Sequence, residues 1–108
     1  MPTSEKTICN ILNQLHALQM RCESKMDKDR IRRQFERIYR SFEDLGYFIK
    51  NPLGEDYDLT RLDCEASIAG DTMDNLKIVE VIKPIVYFRN GGGNQIVQPA
   101  VVIVSSQK

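Results

Sequence analysis

Leu76-Lys77-Ile78-Val79-Glu80-Val81-Ile82-Lys83-Pro84-Ile85-Val86-Tyr87-Phe88 opens the last third of the 108-residue chain and is written in strand grammar. β-Branched and aromatic side chains dominate it, and they suit a pleated, half-buried surface. The pattern resumes in Ile96-Val97 and in Val101-Val102-Ile103-Val104. Arg89-Asn90-Gly91-Gly92-Gly93-Asn94 lies between two of these runs and reads as the loop of a hairpin. Pro84 and Pro99 have no amide proton for a ladder, so they belong at strand starts, bulges or edges. Together these features predict a small antiparallel β lobe.

Working back from that lobe, residues 55–75 are irregular and acidic, and Asn51-Pro52-Leu53-Gly54 before them is a turn. The charge is zero overall but unevenly placed. Residues 1–50 carry ten Lys/Arg against seven Asp/Glu, residues 51–75 one against seven, and residues 76–108 four against one. An acidic belt thus separates two mildly basic parts, an asymmetry that steers partners but does not specify a fold.

The first half reads as helix. Ile8, Ile11, Leu12, Leu15, Leu18, Cys22 and Met26 recur in steps of three and four, which places them along one face. Thr3 or Ser4 can cap the start, and Glu5 suits the positive helix end. A second stripe follows in Ile31, Phe35, Ile38, Phe42 and Leu45, close to a 3.5-residue repeat. The stripes do not join in phase across the polar stretch between Cys22 and Ile31. This predicts a helical hairpin broken near 24–28, with Asp27 capping the second helix and Gly46 ending it; one long kinked helix is the alternative. Each helix keeps a second apolar edge, Leu12 and Met26 on the first and Tyr39 on the second. Two hairpins pairing as a four-helix bundle would cover these edges, as would the β lobe of the same chain. The expected architecture is α+β: residues 1–46 a helical hairpin and dimerisation region, residues 47–108 a small β domain.

Several chemistries are disfavoured. Cys9, Cys22 and Cys64 are odd in number and far apart, which argues against a disulfide framework. A zinc site would need all three together with His16, at unsuitable spacings. Gly91-Gly92-Gly93 lacks the Gly-Lys-Ser/Thr of a phosphate loop. Asp56, Asp58, Asp63, Glu65, Asp71 and Asp74 do not match a calcium loop and read as solvated acidic loops. No cysteine has a base beside it in the pattern, so we expect no catalytic residues, no metal and no cofactor. Arg30, Arg33, Arg37 and Arg40 lie opposite the apolar stripe of the second helix. They read as a solvated face supported by Asp29→Arg33 and Glu36→Arg40 pairs, rather than as a nucleic-acid stripe. No apolar run approaches bilayer length, and Met1-Pro2-Thr3-Ser4-Glu5-Lys6 lacks the pattern of a secretion signal, which predicts a cytoplasmic protein with no membrane partner.

The order of these segments, with several local patterns, resembles the GrpE family of chaperone nucleotide-exchange factors. Leu45-Gly46-Tyr47 stands where the family has a Phe-Gly-Val-like corner. Gly54-Glu55-Asp56-Tyr57-Asp58 is similar to Gly-Glu-x-Phe-Asp, and Cys64-Glu65-Ala66 stands for His-Glu-Ala. Val81, Tyr87, Gln98-Pro99-Ala100 and Val101-Val102-Ile103-Val104 follow in the family's order. The chain departs in lacking the long helical stalk, in Val86 for the Gly of Gly-Tyr, in Gln98 for the Arg of Arg-Pro-Ala, and in a longer glycine loop. The resemblance implies a homodimer whose β domain grips a DnaK-type chaperone and favours ADP release. By position it implies partner contacts at Lys83, Tyr87, Arg89, Gln98 and Pro99. The dimer would rest on Ile8, Leu15, Leu18, Ile31, Phe35, Ile38 and Phe42. The alternative is a GrpE-like fold serving as an adaptor or scaffold without exchange activity.

Overall fold

A computed structural model describes residues 3–22 and 28–107. Two helices lead, α1 (Thr3–Cys22) and α2 (Lys28–Asp44). Six strands follow: β1 (Tyr47–Lys50), β2 (Cys64–Ala69), β3 (Leu76–Lys83), β4 (Ile85–Asn90), β5 (Gly93–Gln98) and β6 (Ala100–Ser106). This is the α+β class expected, with the helices first. Tyr39 and Phe42 of α2 pack on the same cluster as Ile8, Cys9, Leu12 and Leu15 of α1, so the second helix folds back along the first. A single continuous helix would hold Leu12 and Phe42 about 45 Å apart. The hairpin therefore stands and the long helix does not. The expected break, with Asp27 as its cap, lies outside the described residues apart from Lys28, where α2 begins.

Gly46 ends α2 as its position predicts. It adopts φ +96°, and its amide donates to the Glu43 carbonyl at 2.9 Å. A Cβ there would sit 2.9 Å from the Phe88 ring, so glycine is required both by conformation and by close approach. The Gly46 carbonyl accepts from the Arg89 amide at 2.8 Å, which leads the chain directly into the first sheet.

The strands form two three-stranded sheets, one ordered β1-β4-β5 and the other β2-β6-β3. The first is antiparallel throughout. The second is mixed, because β2 runs parallel to β6 while β3 runs antiparallel to it. Nothing in the residue pattern distinguished a parallel pair here; the long 51–63 loop allows it by bringing Cys64 to Ala100 at the start of β6. The ladder between β4 and β5 also runs further than the glycine loop suggests. Asn90 pairs with Gly93, leaving only Gly91 and Gly92 at the tip, with Gly91 at φ +64°.

Each proline at a sheet boundary has one task. Pro84 is the single residue between β3 and β4, and Pro99 the single residue between β5 and β6. At both places the chain leaves one sheet and enters the other. A ring that fixes φ and offers no amide proton suits a joint where the ladder must end.

Two cores result. One lies behind the second sheet and contains Cys64, Leu76, Ile78, Ile85, Ala100, Val102 and Val104. The other lies between the helices and the first sheet. It centres on Cys9, Leu12 and Val86, with Tyr47, Ile49 and Val97 packed around them. Ile85 and Val86 are consecutive and both fully buried, one in each core. Leu12 is also fully buried. Its edge of α1 packs on the β lobe of the same chain, which was the alternative to covering it with a second copy. Leu12→Ala removes a fully enclosed side chain and should cost about 2–5 kcal/mol, read as a lowered urea midpoint with an unchanged m-value.

A candidate protein-docking face

The five residues singled out for partner contact do not share one face. Lys83 ends β3, is exposed, and lies opposite Val101 on the outer side of the second sheet. Pro99 is half-buried at its joint. Tyr87 is half-buried and turns toward the core of the second sheet. Arg89 follows on the same side of β4, exposed, with its guanidinium 4.3 Å above the Phe48 ring. That geometry is a cation–π contact and holds the arginine beside the hairpin tip.

Gln98 faces the other way. Its side-chain amide exchanges two hydrogen bonds with Asn13 of α1: Asn13 Nδ2 donates to Oε1 at 3.0 Å, and Gln98 Nε2 donates to Oδ1 at 2.8 Å. Gln98 Nε2 also donates to the Pro84 carbonyl at 2.9 Å. One side chain thus ties the helix layer to both sheet joints. Each bond is worth about 1 kcal/mol net, but leaving such groups half-buried without partners costs more. The sequence gives no sign of this pairing, since a polar residue on a helix carries no mark of a distant amide partner.

The positions expected at a dimer interface separate into two groups. Phe35 is buried, and Ile8, Leu15 and Phe42 pack on the helix–sheet core. Ile31 and Ile38 are half-buried. Leu18 is 50% exposed and Ile11, on the same stripe, 43%. With Gln14 and Leu15 they line a shallow groove of about 370 Å³. The face of α1 turned inward is instead Cys9, Leu12 and His16. Ile8, Leu12 and Leu15 of the apolar stripe are thus drawn into the core, and its Ile11 and Leu18 edge is the part this chain leaves uncovered.

The acidic loop is more ordered than a solvated run. Arg61 Nε donates to Asp63 at 2.6 Å, Nη2 to Glu55 at 2.7 Å, and Nη1 to the Asp56 carbonyl at 2.8 Å. Lys77 pairs with Asp56 at 2.5 Å. Thr60 donates its hydroxyl and its amide to Asp58, which holds that carboxyl below its ordinary value. Burial pushes up the thiols of Cys9 and Cys64, making both poor nucleophiles. Among the described residues no group of His, Cys, Asp and Glu is arranged to hold a metal ion, and no helix is long and apolar enough to cross a membrane.

On α2, Arg30, Arg33, Arg37 and Arg40 are exposed. The expected Asp29→Arg33 and Glu36→Arg40 pairs do not form among the described residues. The arginine face is solvated without them, as suits charges that lose little in water by standing alone.

The Arg61 hydrogen bonds hold the Asp63 carboxyl below its ordinary value. A carboxyl lowered in the folded state stabilises the fold above its unfolded value of about 4, and that contribution is lost as pH falls through the folded value. Urea unfolding between pH 7 and pH 3 should show this loss, and Asp63→Asn should flatten it while lowering stability at pH 7. Comparison of the chain with family models, with curated proteins and with solved structures finds no match.

Proposed function

We propose that this chain is a GrpE-like accessory factor that binds the nucleotide-binding domain of a DnaK-type chaperone through its β lobe and promotes ADP release. The observation that carries the proposal is the placement of the matched segments. The Leu45-Gly46-Tyr47 corner joins a helical hairpin to a lobe of two small sheets. Within that lobe Gly54-Glu55-Asp56-Tyr57-Asp58 is the loop bonded along β3, and Gln98-Pro99-Ala100 is a sheet-to-sheet joint. No covalent chemistry is involved. A partner that prefers the open form of the chaperone lowers ADP affinity by that preference alone. The uncovered edge of Ile11 and Leu18 supports the accompanying homodimer, in which a second hairpin would bury it.

A second reading, an adaptor or scaffold without exchange activity, is favoured by Gln98. Where the family carries an arginine, this side chain is turned toward α1 and engaged by Asn13 and Pro84.

Titrating the full chain into a DnaK-type chaperone loaded with fluorescent ADP separates the two. Exchange activity predicts that saturating protein weakens ADP binding by about 5–150-fold and speeds its release correspondingly. Binding without faster release would establish the adaptor, and no binding would remove both readings.

A further inference from the structure

The two open sheets have four edges, and three of them are blunted. β1 is four residues long and runs into Asn51-Pro52. β5 starts at Gly93 and meets β4 through a register shift. The free side of β3 is occupied by the 54–57 loop: the Gly54 amide donates to the Ile78 carbonyl at 2.8 Å, the Ile78 amide to the Glu55 carbonyl at 2.9 Å, and the Tyr57 amide to the Leu76 carbonyl at 2.9 Å. Such devices are how proteins protect sheet edges from other chains.

β2 has none of them. It pairs with β6 without a register shift over all six residues, and it contains no proline and no lysine. The Ala100 amide donates to the Asp63 carbonyl at 2.9 Å, which sets the phase of the parallel ladder. In that phase Glu65, Ser67 and Ala69 turn their backbone groups toward β6, while Cys64, Ala66 and Ile68 turn theirs away. Among the described residues these outward groups have no backbone partner. Cys64 is buried at the strand's start, so Ala66 and Ile68 offer two donors and two acceptors in a row, and Ile68 is 37% exposed beside them.

Charge decides what can dock there. Residues 51–75 carry seven acidic groups against one basic one. Glu55 and Asp63 are held by Arg61, and Asp56 by Lys77. Glu65, Asp71 and Asp74 have no ion pair among the described residues. A second copy of β2 would bring the same negative field to the edge and be repelled, whereas a basic strand would be attracted.

We propose that the free edge of β2 takes up an extended, basic, alternately apolar segment of another protein as a fourth strand of the second sheet. Backbone bonds to Ala66 and Ile68 supply the register, and contact with Ile68 and the charge of Glu65 supply the preference. The proposal concerns a different face from the chaperone reading and does not depend on it.

The probe is a fluorescent seven-residue peptide alternating valine with lysine, titrated into the 108-residue chain; its glutamate counterpart serves as control. The lysine peptide should bind at least tenfold more tightly than the control and slow amide exchange at Ala66 and Ile68. Ala66→Pro removes an outward donor without breaking a β6 bond and should abolish binding with the circular dichroism spectrum retained. Glu65→Lys keeps every backbone group and should reverse the peptide preference. Binding that survives both substitutions, or that leaves those two amides unprotected, would overturn the proposal. So would a doubling of mass abolished by Ala66→Pro, which would make a second copy the occupant.

Discussion

Ile85 and Val86 carry the structure. They are adjacent on β4, both fully buried, and they enter different cores. A strand alternates its side chains, so a strand with both faces enclosed must lie between two layers. Here the helices pack on one side of β4 and the second sheet lies on the other. A chain this short does not enclose two independent cores comfortably, and sharing one central strand lets each core use the other's backbone as its wall.

The joints follow from that constraint. With β4 fixed between the layers, the chain must change sheets immediately before it and immediately after its hairpin partner, and Pro84 and Pro99 stand at those two points. The amide of Gln98 bonds across both the joint and the helix boundary, linking Asn13 to the Pro84 carbonyl. The result is a lobe whose orientation on its helical base is set by hydrogen bonds with defined geometry, in addition to non-directional apolar contact.

Much of this was legible in the residues. The two helices announce themselves by periodicity, the glycine corner by its position, and the strands from β3 onward by β-branched runs between turn signals. β2, Cys64–Ala69, falls in the stretch read as irregular and acidic, because its small and polar residues carry no such run. The division into two sheets was not legible, because a proline between two strands reads the same at a kink, an edge or a sheet change. The inward face of α1 was misjudged for a physical reason. Ile11 and Leu18 are more hydrophobic than His16, yet tertiary packing buries His16 and leaves those two exposed. The site residues were the least legible. Tyr87 and Arg89 do share a side of β4, but Gln98 faces the helices and Lys83 the outer surface of the other sheet, and register alone determines that.

If β4 truly joins the cores, the helical base and the two sheets open together. Native-state hydrogen exchange reads this directly at the amides of Leu12 in α1, Val86 in β4 and Val102 in β6. The account predicts one common opening free energy at all three, equal to that of global unfolding. Exchange of Leu12 through a separate, lower-energy opening that leaves Val86 and Val102 protected would contradict it, and would show a helical base that merely leans on an independent β domain.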